Sequence, residues 1–130
     1  LDSVAIDPLS GNDAKSLLVQ TGIGDAQVHT LGAHILMRGV GGGLIANPNR
    51  EVWGLDVLTD GQVGTGMVEW DYGMTEPAEN VPPIRQQNID VHRSVREEDP
   101  AKQQLIHFLE TGELGNFCDG PCISENGLVE

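Results

Sequence analysis

Residues 16–38 read SLLVQTGIGDAQVHTLGAHILMR, and the hydrophobic period changes inside this one stretch. Lys15 to Gln20 is short and largely apolar, with polar residues before it and TGIGD after it, the pattern of a strand. From Val28 the apolar residues Leu31, Ile35 and Leu36 follow helical spacing through about Arg38, where GVGGG ends the element. Gly32 inside that helix weakens it by about 1 kcal/mol relative to alanine. Strand, tight turn and helix in this order predict an α/β protein. Asp25 falls just past the strand, at the sheet edge where sites assemble in open α/β folds. A carboxylate there must be paired, solvated or working, because an unpaired buried charge costs several kcal/mol. Capping the helix that begins near Val28 is the simpler use for it.

Two more strands are expected downstream. In EVWGLDVL (51–58), Trp53, Leu55 and Val57 alternate with Val52, Gly54 and Asp56. In GMVEWDYG (66–73), Val68, Trp70 and Tyr72 form one apolar face, opposite Met67, Glu69 and Asp71. TDGQVGTG between them is turn chemistry. Residues 74–90 carry three prolines and no clear period, so an irregular crossing loop is expected there. A closing helix follows, with Asp99 as N-cap, Pro100 in the first position and Gly112 as the stop. Its apolar stripe is Ala101, Leu105, Ile106, Phe108 and Leu109. The first fifteen residues read as loop. Residues 1–112 form the body of the domain and 113–130 a tail.

The chain has 130 residues, suited to one modest core, and a formal charge of −13. Such a field repels nucleic acid and anionic lipid, which excludes both as natural partners. No apolar run approaches the roughly 18 residues of a membrane span. LDSVAIDPLSG lacks an initiator Met, a basic region and a long apolar stretch, so a piece of a longer polypeptide, or a mature secreted protein, is expected. Cys118 and Cys122 flank Asp-Gly-Pro, a turn that favours a small-loop disulfide and hence an extracellular or periplasmic location. Two free thiols or half of a metal site are the alternatives, although two cysteines fall short of the four ligands of structural zinc. Gly41–Gly43 is followed by no Lys-Ser/Thr, so it is not a phosphate loop, and no cofactor is implied.

His92, in IDVHRSVREEDP, lies between the irregular loop and the closing helix, and an imidazole on a loop there is well placed for acid–base work. His29 and His34 are too poorly spaced to share a helix face, and structural or solvent-facing roles are expected for them; His107 belongs to packing or surface.

Here the chain resembles the α/β-hydrolases. SLLVQTGIGDAQVHTLGAHILMR is similar to their late strand, acid-bearing turn and following helix, and VHRSVREEDPAKQQLIHFLETG to their loop histidine and C-terminal helix. The order of acid before base agrees with that family. A narrower likeness is to large exported bacterial hydrolase-like proteins that end in a CDGPC tail. The resemblance implies the C-terminal portion of an α/β-hydrolase sheet: about three strands, two main helices, a long loop and a cysteine-containing tail. It makes Asp25 the triad acid and His92 the general base, with Asp71 the alternative acid and Asp56 and Asp60 more distant ones. It implies no metal and no cofactor.

Two departures stand out. Asp25 and His92 are 67 positions apart, which requires an insertion around residues 41–66. No Gly-x-Ser-x-Gly elbow surrounds Ser3, Ser10, Ser16, Ser94 or Ser124. The nucleophile is therefore expected on a preceding portion of the same polypeptide, which becomes this chain's partner alongside a small ester-like substrate. Two functions follow: a serine-hydrolase portion supplying acid and base, or a non-catalytic exported acidic domain for binding or assembly. The absent nucleophile and an aromatic content of 4% favour the second.

Overall fold

The computed structural model describes residues 2–74, 81 and 91–124. Along the chain run α1 (Asp2–Ala5), β1 (Leu18–Gly22), α2 (Thr30–Gly39), β2 (Gly43–Leu44), β3 (Gln62–Val63) and β4 (Gly66–Trp70). They are followed by α3 (Val91–Ser94), a 3-10 turn (Val95–Glu97), α4 (Asp99–Thr111) and β5 (Glu113–Leu114). β1, β4 and β2 make a parallel sheet in that spatial order, with both Val19 and Leu44 in register with Met67. β3 and β5 pair antiparallel as a separate ribbon. This is a mixed α/β architecture around a small parallel sheet.

β4 is the centre of the sheet because both of its faces can be buried. Val68, Trp70 and Tyr72 pack with Val91, Val95, Ala101, Leu114 and Cys122 on one side. Met67 packs with Met37, Val40, Leu44 and Leu55 on the other. The two-face alternation expected for GMVEWDYG is therefore present, with helices or loops over both faces, as parallel strands require.

Several expected elements differ in place. The first strand runs Leu18–Gly22 rather than 15–20, which carries it closer to Asp25. α2 begins at Thr30 rather than near Val28, because the intervening amides are already taken: Gln27 and Val28 donate to Asp25, and Leu31 donates to His29 Nδ1. EVWGLDVL is not a strand; Leu55 N donates to Val52 O across a turn at Trp53–Gly54, and Val57 alone bridges to Leu44. The third strand is instead Gly43–Leu44. A Cβ on Gly43 would lie 2.6 Å from the Asp56 carbonyl oxygen, so the glycine admits that crossing chain. The opening loop contains the short α1. The crossing loop expected at 74–90 falls, apart from Met74 and Val81, outside the described residues.

α4 has Glu98 rather than Asp99 as its N-cap, with Gly112 as C-cap in a left-handed conformation. Its expected apolar stripe is largely on the surface: Leu105, Ile106 and Leu109 are exposed, and Ala101 and Gln104 face inward. Hydrogen bonds set that rotation. Gln20 Nε2 on β1 donates to Ala101 O and to Gln104 Oε1, each at 2.8 Å, and Gln104 Nε2 donates to Gly115 O at 2.6 Å. Inward amide groups bonded in this way outweigh the leucine stripe, because those bonds could not be buried unmade.

Residues 113–124, the described part of the segment read as a tail, are sewn into the body. Glu113–Leu114 forms β5, Asp71 N donates to Cys122 O, and Ser124 N donates to Asp71 O. Cys118 and Cys122 are joined in a disulfide. Asn116 Nδ2 donates to Ala46 O and Gly120 O, while Asn49 Nδ2 donates to Glu69 O and Cys122 O. Among the described residues no helix is long and apolar enough to cross a membrane.

Candidate active site

The site begins with two glycines. Pairing with β4 continues past the strand through Ile23 N, which donates to Trp70 O, and then Asp25 N turns back to Gly22 O. Gly24 has φ +81°, a left-handed conformation that glycine adopts without strain, and a Cβ there would lie 2.6 Å from Met74 Cβ. A Cβ on Gly22 would collide with the Val91 side chain, so the absence of one lets α3 nest on the end of β1. His92 is the next residue along. Replacing Gly22 with valine is therefore expected to push α3 off β1 at a cost of about 1–3 kcal/mol. The His92–Asp25 contact should separate as well, seen as loss of a downfield imidazole N–H resonance. Retention of that resonance at full stability would show that the nesting is not needed.

Asp25 is 4% exposed. Its Oδ1 accepts from Gln27 N at 2.7 Å and from Val28 N at 3.0 Å, and its Oδ2 accepts from His92 Nδ1 at 2.9 Å. Asp25 does not cap α2: its Oδ1 closes a local turn ahead of the helix, and its Oδ2 meets an imidazole. The helix cap itself is His29. The His92 side chain is 34% exposed. An ionised carboxylate only accepts, so in the neutral ring the proton resides on Nδ1 and Nε2 carries the lone pair. That nitrogen can take up a proton, and the anion beside the ring stabilises the cation that results. The pair opens on a cleft of about 170 Å³ along β1, lined also by Thr21, Val28, Val95 and Arg96.

The other carboxylates are occupied or elsewhere. Asp71 Oδ1 accepts from Gly73 N, and its backbone pairs with the strand-like stretch at Cys122–Ser124. Asp60 Oδ1 accepts from Asn116 N, and Asp56 is at the surface. His107 faces Glu113 at 3.3 Å and packs on Phe117. Among the described residues no three of His, Cys, Asp and Glu are grouped to hold a metal ion.

A second buried carboxylate went unread in the sequence. Glu69 on β4 has a side chain only 3% exposed; it accepts from Arg50 Nε at 2.8 Å and Nη2 at 2.7 Å, and faces His34 Nε2 at 2.8 Å. Burial alone would raise its pKa, but the Arg50 guanidinium and the His34 ring reverse this and hold it at about 2. This cluster locks α2 and the 46–50 loop onto the sheet. Its signal in the sequence is a glutamate within an otherwise apolar strand, but nothing local names partners 19 and 35 positions away. Gln20, which sets the rotation of α4, also passed unremarked.

No known protein family matches the chain, and neither a curated protein nor a solved structure shows significant similarity to it.

Proposed function

We propose that this chain supplies the acid and base of a serine-type hydrolase, acting on an ester, with the nucleophile carried by another part of the polypeptide. The observation that carries this reading is the 2.9 Å contact between His92 Nδ1 and a buried aspartate whose second oxygen is pinned by two backbone amides. Such a pair fixes the imidazole's tautomer and leaves Nε2 free to act. His92 Nε2 takes the serine proton as the hydroxyl attacks the carbonyl, then returns it to the leaving oxygen, while Asp25 balances the transient imidazolium. The parallel sheet with Asp25 at its edge is in keeping with the C-terminal portion of an α/β-hydrolase, and Asp25, rather than Asp71, is the acid. The disulfide is compatible with an extracellular or periplasmic setting.

The test is labelling of the serine by a fluorophosphonate in a polypeptide that includes both this chain and the nucleophile. With His92→Ala, labelling should be slower by at least about a hundredfold. Equal labelling with and without the imidazole would leave the non-catalytic acidic domain as the better reading.

A further inference from the structure

The most open large hydrophobic side chain among the described residues is Trp53, 87% exposed on the turn between Val52 and Leu55. Its placement is not loose. Arg38 Nη1 donates to Trp53 O at 2.8 Å, and the same guanidinium lies over the indole, 5.7 Å from the ring centroid. Beside the ring is a hollow of about 500 Å³ lined by the apolar Leu44, Val52, Leu55 and Val57 and by the acidic Glu51 and Asp56. Among the described residues neither carboxylate has an ion-pair or hydrogen-bond partner.

We infer that this hollow is a docking site for a basic side chain, arginine foremost, on a partner polypeptide. Three observations choose that occupant. The indole already holds one guanidinium, Arg38, so its quadrupole is matched to such a group, and most of the ring remains open. The apolar wall suits the methylene stem that carries an arginine or lysine head. Glu51 and Asp56, without a partner among the described residues, supply the counter-charge, in a chain whose net charge of −13 draws cations and repels a second copy of itself. An exposed tryptophan with its backbone anchored is also the residue type that dominates binding at interfaces. The hollow involves none of the residues around Asp25 and His92, so the inference stands apart from the hydrolase reading.

The experiment is a titration of isotope-labelled chain with an acetylated, amidated Gly-Arg-Gly-Arg-Gly peptide, following the Trp53 indole N–H and the Leu55 and Val57 amides. A saturable shift confined to these signals is expected. It should weaken at least about fivefold between about 20 and about 300 mM salt. Trp53→Ala should abolish saturation at the two amides, and E51Q with D56N together should weaken binding by about tenfold. The buried Trp70 indole, unchanged throughout, reports that each variant is folded. The inference is overturned by no saturable shift, by an equal response to the glutamate counterpart of the peptide, or by the same signals moving with a neutral gluco-oligosaccharide but not with the arginine peptide. Shifts that grow with protein concentration alone would likewise overturn it, in favour of self-association.

Discussion

Asp25→Asn is expected to lower ester turnover by roughly 10⁴-fold, in a polypeptide that includes this chain and the nucleophile, with KM little changed. The size follows from the turn around the residue. Gln27 N and Val28 N both donate to Oδ1, so an asparagine must keep its carbonyl oxygen there and direct its amide group at His92. An amide donates where the carboxylate accepted. The ring then presents its lone pair at Nδ1 and its proton at Nε2, the wrong tautomer for taking a proton from a serine. Stability should change little, since the turn keeps its acceptor. The measurement is kcat across pH for the variant against the parent. A loss under about tenfold would remove Asp25 from the acid's role, and a similar loss in Asp71→Asn would transfer it.

The second large effect is on stability. Glu69→Ala should destabilise the fold by about 3 kcal/mol at neutral pH, which for a chain of this size is roughly 10 °C in Tm. Removing the carboxylate takes away the group that the Arg50 guanidinium and the His34 ring share on β4. Arg50 is about a third exposed and can turn to water, so the loss falls at the low end for a broken buried pair. The same group predicts an acid limb. Its carboxyl is held at about 2, below the 4.5 of an ordinary glutamate, so the unfolded chain binds its proton first on acidification. Its contribution is complete above about pH 4.5 and is lost as pH falls towards 2, amounting to about 3 kcal/mol for the whole shift. Denaturant midpoints from pH 7 to 2.5 measure it: the parent should lose stability across that window, and Glu69→Ala should show a flatter profile there. Parallel profiles would assign the acid sensitivity to other carboxylates.

The strand, turn and helix of residues 16–38 were legible because the hydrophobic period changes and glycines mark where. β4 was legible because its side chains alternate. Asp25 and His92 were legible as residues of the right kind at the right ends of elements, and the distance between them is a matter of geometry that no local pattern contains. EVWGLDVL misled because alternation over a short stretch is also what a turn with a displayed tryptophan produces. The α4 stripe misled because period alone cannot say which side of a helix faces in. There Gln20 and Gln104, reaching across more than eighty positions, decide it. Glu69 was hidden for the same reason, since its partners come from two other segments.

The arrangement of the sheet has a kinetic consequence. β4 joins β1 to β2, yet it is the last of the three to be synthesised, and Val19 finds its partner only when Met67 is available. Until then the emerging polypeptide has two strands that do not touch one another and a glycine-marked turn with no anchor. Parallel pairing at such separations has a high contact order, which makes it slow and leaves apolar edges open to wrong associations while it waits. Assembly of the sheet thus waits on a single late segment, and the second member of the aspartate–imidazole contact comes later still along the chain.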